Sequence, residues 1–177
     1  MKATGIVRRI DDLGRVVIPK EIRRTMRIRE GDPLEIFTNS GGEVIFKKYS
    51  PVKEIGNFAS EYADALSGNT ELAVIICDKD HCVAAAGLSK REILGRSVTP
   101  NLDEIMENRK TVVYTQNEEI YALEGVEKKV LIAAPIIAAG DITGVVVFLE
   151  GKENSTPTDS DIKLANVAAK FLSHQTE

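Results

Sequence analysis

The chain has no tryptophan, only two histidines and two cysteines, and aromatic residues make up just 5% of its 177 positions. Each shortage closes off a class of protein. Two cysteines cannot build the cross-linked framework of a small secreted domain. The opening MKATGIVRR also lacks the apolar stretch of a secretory signal, so a reducing, cytoplasmic setting is expected. Two histidines are too few for triad or metal chemistry away from one local patch. Neither Gly-x-Ser-x-Gly nor a phosphate-cradling loop occurs, so the expectation is a non-enzyme without a cofactor. No apolar run reaches about 18 residues, which leaves no membrane-spanning helix to expect. Low-complexity tracts and solenoid-period repeats are missing too, which leaves one or two ordinary folded domains.

What the chain does have is charge, unevenly placed. Residues 8–29, RRIDDLGRVVIPKEIRRTMRIR, carry eight basic side chains: Arg8, Arg9, Arg15, Lys20, Arg23, Arg24, Arg27 and Arg29. Only Asp11, Asp12 and Glu21 offset them. Residues 1–50 hold 11 basic and 7 acidic groups, against 12 and 20 in residues 51–177, so a net −4 divides into +4 and −8. A basic block within an acidic chain points to a polyanion, because neutralising phosphates releases counterions. An acidic second part would repel DNA, so the DNA surface belongs to the first 50 residues. The bland alternative is a solvated charged face, and Arg27 and Arg29 also suit a helix C-terminus.

Residues 1–50 read as short strands joined by tight turns. Ile6, Val7 and Ile10, then Arg15–Ile18, form two β-rich runs around the turn-prone Asp11-Asp12-Leu13-Gly14. Pro19 suits the first helical position, and Glu21 the first turn, of a helix in KEIRRTMRI. Ile22 and Met26, four apart, should face a core. Residues 34–37 and 44–46 bracket Asn39-Ser40-Gly41-Gly42, a second hairpin signal. So small a unit buries little apolar surface, and an obligate dimer with interleaved strands is expected.

Tyr49-Ser50-Pro51 is the expected boundary between domains 1–50 and 51–177. Beyond it the pattern predicts a helix over 52–66, strands over 72–77 and 82–86, and helices over 89–95 and 101–109. Strands are then predicted over 111–115, 119–123, 129–137 and 142–149, with a turn at Gly140-Asp141. A closing helix over 159–175 follows, entered through a cap at Thr158. An antiparallel sheet with an opening and a closing helix makes the whole an α+β protein. The terminal helices' apolar faces are either internal or pair between subunits, the latter being the favoured reading.

Cys77, His81 and Cys82 lie around the turn Asp78-Lys79-Asp80-His81. A metal site, a redox pair and two small buried hydrophobes are all readings of that patch, and the last is the default. Paired acids such as Asp159/Asp161 are explained by solvation or capping, so neither catalytic nor metal-ligating residues are assigned.

The string GIVRRIDDLGRVVIPKEIRRTMRIREGDPLEIF, with GGEVIFKKY after it, resembles the AbrB-like transition-state regulators over about 48 residues without a gap. Its continuation into an acidic α/β domain is similar to a sporulation-regulator branch of that family with a GAF-like second domain. The resemblance implies a swapped-hairpin N-terminal dimer and a homotetramer assembled through GAF–GAF contacts. It further implies a cytoplasmic, forespore transcription factor that activates some genes and represses others on double-stranded DNA. The family's DNA-contacting positions fall on Arg8, Arg15, Arg23 and Arg24, with a further basic position at Arg9. Arginine suits them because its planar fork binds phosphate or a guanine edge bidentately. No aromatic interleaves the block, which argues against stacking on single strands. Two rival readings stay open. In one the second domain is a receptor whose unidentified small-molecule ligand alters DNA affinity. In the other the chain is an antitoxin-like interaction protein, which would carry a disordered tail.

Overall fold

The computed structural model describes residues 4–115, 117–151 and 155–176. Contacts divide the chain into two compact units, Met1–Tyr49 and Ser50–Glu177.

In the first unit the helix α1, Lys20–Thr25, is followed by the strands β1, Leu34–Thr38, and β2, Val44–Lys48. The two strands pair antiparallel from Leu34↔Lys48 to Thr38↔Val44. Asn39 closes their turn, its Oδ1 accepting from the amides of Gly41 and Glu43. Three expectations need correction. The β-rich runs at 6–10 and 15–18 form no strand within this chain, although Asp11–Gly14 does turn. Strand formation needs a partner ladder, and the described residues of this chain offer these segments none. Pro19 lies outside α1, at its N-cap. Met26 caps the C-terminal end and stands 57% exposed, and α1 contributes no buried residue, so Ile22 and Met26 do not face a core within this chain.

The second unit opens with α2, Pro51–Glu54, and α3, Gly56–Ser67. One helix over 52–66 was expected; Ile55 separates two. Ser50 caps the first by accepting from the Lys53 amide, and the stripe Val52, Ala59, Ala63, Leu66 is buried across the break. The strands β3, Ala73–Asp78, and β4, Cys82–Ala86, follow, then α4, Lys90–Ile93, and α5, Pro100–Glu107. Next come β5, Val112–Val113, and the long hairpin β6, Val130–Ala138, with β7, Asp141–Leu149. The helix α6, Asp159–Gln175, closes the unit. These strands form one antiparallel sheet in the order β4-β3-β7-β6-β5. The hairpin turn falls on Ala139 and Gly140, one residue earlier than expected, both at positive φ, as a two-residue primed turn requires. The expected strand over 119–123 is absent; only the isolated bridges Val98↔Leu123 and Tyr121↔Lys129 form there.

Both faces of the sheet are covered, which explains why β3 is buried at every position. Val74, Ile76, Val146 and Phe148 pack with Ala59, Ala63, Ala165, Ala168 and Leu172 of α3 and α6. On the other face Ile75, Cys77, Val145 and Val147 pack with Leu102, Ile105 and Met106 of α5 and with Leu123. The alternation along β3 is the two-residue period of a strand inserted between two apolar layers. At the start of α6, Thr158 and Asp161 form a reciprocal capping box, and Asp161 also accepts from the Thr70 hydroxyl at 2.6 Å. Desolvation alone would raise the Asp161 carboxyl. The hydrogen bonds from Thr70 and Thr158 outweigh it and hold the group below its ordinary value.

Candidate nucleic-acid interface

The five expected DNA-contacting residues, Arg8, Arg9, Arg15, Arg23 and Arg24, are all exposed in the first unit. Arg8 and Arg9 precede the Asp11–Gly14 turn and Arg15 follows it, while Arg23 and Arg24 share the last turn of α1. That helix ends in two nested bonds, Ile28 N–H to Arg23 C=O at 2.7 Å and Arg27 N–H to Arg24 C=O at 3.2 Å. Arg27 takes the left-handed conformation between them, at φ 50°. This is a Schellman stop, here with arginine where glycine is usual. It fixes where the helix ends, and so sets the path of the Arg23-Arg24 pair. Cations there also complement the negative end of the helix dipole.

The turn between Arg9 and Arg15 is held by one side chain. Asp11 Oδ1 accepts from the Leu13 amide at 3.0 Å and the Arg15 amide at 2.7 Å, while Oδ2 accepts from Arg15 Nε at 2.8 Å. The Asp11 amide donates to Arg15 C=O, and Gly14, at φ +77°, donates back to Asp11 C=O. The Arg15 amide and then its guanidinium hold the Asp11 carboxyl below its ordinary value. Charge counting sees Asp11 only as an offset to the arginines. A spacing of four residues to Arg15, with Gly14 between, is the sequence signal for its turn role.

Around this basic surface stand Val7, Ile10, Leu13 and Val17, each at least 69% exposed. Ile36 at 61% and Val44 at 59% extend the apolar exposure onto the β1–β2 hairpin. In the second unit Phe58, Tyr62 and Phe171 form an aromatic cluster, with ring centroids 5.3 to 5.9 Å apart. Beside Phe171 on α6, Val167 is 61% exposed.

The patch at 77–82 resolves differently from a Cys-His metal site. Cys77 and Cys82 are buried free thiols opposite one another on β3 and β4. His81 instead groups with Asp78 and Asp80, their ligand atoms within 4.8 Å. Asp78 is already engaged, accepting from the amides of Asp80 and His81 and from the Ser50 hydroxyl. Its geometry is that of a turn lock. No helix among the described residues is long and apolar enough to cross a membrane.

A small arginine-bearing α+β unit, followed by a two-faced antiparallel sheet sandwiched by helices, is the layout of a two-part transcriptional regulator. The model of the stage V sporulation protein T C-terminal transcription-factor family matches residues 54–177, and the chain belongs to that family. A second model, the antidote-toxin recognition family MazE of bacterial antitoxins, matches residues 7–54. Stage V sporulation protein T of Bacillus subtilis (strain 168) is 49% identical over 179 residues, covering 100% of this chain and 99% of that one. The transition state regulatory protein AbrB of the same organism is 59% identical over 51 residues, 29% of this chain and 52% of that one. The GAF domain of a phosphoenolpyruvate-protein phosphotransferase from Coxiella burnetii shares the second unit's fold. Its TM-score is 0.54 at 13% identity, covering 68% of this chain and 81% of that one. The first unit is thus AbrB-like and the second GAF-like.

Proposed function

We propose that this transcription factor binds double-stranded DNA through Arg8, Arg9, Arg15, Arg23 and Arg24, as a dimer of dimers that activates some sporulation genes and represses others. The carrying observation is the exposure of all five arginines on a unit of net charge +4, ahead of a region of −8. Dimerisation of residues 1–50 is supported by the segments flanking the Asp11 turn, which carry exposed apolar side chains and no ladder of their own. A second protomer's strands would satisfy both deficits and double the basic surface. Pairing through the GAF-like domain, 51–177, is supported by the exposed apolar residues of α3 and α6, since contiguous apolar patches mark association surfaces. Joining two dimers raises the effective concentration of the second on an extended site. The folded sheet after residue 50 stands where the antitoxin reading needs a disordered tail. The setting this implies is the cytoplasm, at the nucleoid.

Titrating a fluorescent duplex at several salt concentrations tests the assignment. On a duplex short enough to engage a single dimer, five arginines on each of its two copies set a ceiling near −9 for the slope of log K against log salt, at about 0.9 per neutralised phosphate. Each single Arg→Ala change, present twice per dimer, should flatten the slope by up to about 2 units and weaken binding. Unchanged affinity and slope in all five variants would remove the DNA surface from this face.

A further inference from the structure

We infer that Asp11 is a positioning residue for DNA recognition: it clamps the Nε edge of Arg15 and presents the two Nη groups of that guanidinium as the edge that reads the duplex. The inference rests on the DNA-binding reading of the arginine face. Its geometry comes from one carboxylate doing two things. Oδ1 holds the turn through the Leu13 and Arg15 amides, and Oδ2 holds the side chain through Arg15 Nε. A guanidinium offers two bidentate edges, one through Nε and one Nη, the other through both Nη groups. The 2.8 Å contact to Oδ2 occupies the first and leaves the second. Asp11 is about one-third exposed and Arg15 about two-thirds, so the pair sits where a duplex would meet it.

An aspartate beside a DNA surface is an electrostatic cost, since it repels phosphates. Its place here has a rationale if what it loses in general attraction it returns in selectivity. An arginine free to swing contacts any phosphate in reach, whereas one fixed to a turn meets one edge at one angle. Base-edge and groove-width readout depend on that angle, and phosphate attraction hardly does. Asp11 also stays ionised through the working pH range, because the Arg15 amide and guanidinium favour its charged form.

The two roles predict opposite behaviour in Asp11→Asn. Asparagine keeps the Oδ1 acceptor and therefore the turn, but replaces the acceptor facing Nε with a donor. If Asp11 only shapes the turn or only contributes charge, D11N binds every duplex equally well or uniformly tighter. If it positions Arg15, the preference between an A·T-rich and a G·C-only duplex falls by about five- to tenfold while binding to the weaker of the two stays level or strengthens, within the range of one well-placed side-chain contact. The full chain is measured on both duplexes as wild type, D11N, R15A and D11N/R15A. The expected pattern is a lost preference in D11N and no further effect of D11N once Arg15 is gone. An unchanged preference in D11N, or an equal loss in the R15A background, overturns the positioning role while leaving DNA binding intact. If R15A itself changes neither affinity nor salt slope, Arg15 is no DNA contact and the positioning role falls with it; the underlying DNA reading fails only if the variants of Arg8, Arg9, Arg23 and Arg24 are unchanged as well. Should D11N lower the melting temperature, D11S supplies a hydroxyl to cap the turn without a partner for Nε, and the same pattern is required of it.

Discussion

Replacing Gly144 with alanine should cost the GAF-like unit far more than adding the same methyl at Gly140, and the reason is steric. Gly144 sits in β7, paired with Asp78 of β3 on one side and Ile136 of β6 on the other. Its φ is not among the positive ones, so backbone strain is not at issue. A Cβ built there would meet the carbonyl oxygen of Cys77 well under 3.0 Å and Val52 Cγ2 at 3.1 Å. Carbon–oxygen contacts settle near about 3.3 Å, so β7 and β3 would have to part by about 1 Å. Because β7 is flanked on both edges, it cannot slide away from β3 without crowding β6. Losing about two ladder bonds at about 1 kcal/mol each, with overpacking against fully buried Val52, comes to about 3–4 kcal/mol. At about 2–4 °C per kcal/mol, scanning calorimetry of the full chain should show the unit's transition falling by roughly 10 °C. Gly140→Ala is the comparison: φ is +86° but nothing lies within 4 Å. Only the left-handed backbone is penalised there, at about 1–2 kcal/mol. A Gly144→Ala transition within a degree or so of wild type, or a larger loss in Gly140→Ala, would refute the steric account.

Asp161→Ala removes the capping box and the Thr70 contact together and should cost about 2 kcal/mol in denaturant melts. Since the Asp161 carboxyl is held below its ordinary value, its contribution is present above the unfolded carboxylate pKa and fades as pH falls through the lower folded one. The wild type should therefore lose more stability than Asp161→Ala on acidification below about pH 4; parallel losses would exclude that linkage. The Cys77 thiol is pushed well up by its hydrogen bond with Cys82 and then by burial, so a disulfide reagent at mild alkaline pH should label the native chain only as fast as it opens. Stoichiometric labelling within the mixing time would contradict that. Phe171→Glu, at a 40% exposed position, removes its ring contacts with Phe58 and Tyr62 and should lower the melting temperature by a few degrees while the chain stays folded. Sedimentation should then show dimers in place of tetramers; an intact tetramer would move the proposed pairing away from α6.

Legibility in the sequence followed how local each cause was. The cap at Thr158, the Asn39 turn and the long apolar runs of β3, β6 and β7 were readable because the residues that make them lie together. The break at Ile55 was not, because α2 and α3 bury one continuous stripe, Val52 to Leu66, and periodicity registers the shared face rather than the interruption. Residues 119–123 have strand-like composition but receive only isolated bridges, since the adjoining edge of β6 is met by Val112 and Val113 instead. Composition reports what a strand tolerates, and the ladder depends on which edge is left.

The segments at 6–10 and 15–18 make the same point more sharply, and they bear on function. Their β-branched residues satisfy every local criterion for a strand, yet within this chain they form no ladder and apolar side chains such as Val7 face water. A lone chain cannot supply what this sequence asks for, so here the mismatch is itself a reason to propose a partner copy. Asp11 shows the complementary limit. Its charge was visible and was counted against the arginines; the direction of its hydrogen bonds was not. A carboxylate that cancels Arg15 on a tally of charge orients it in space. Net charge alone therefore predicts unchanged selectivity when Asp11 is neutralised, where the positioning role predicts a loss.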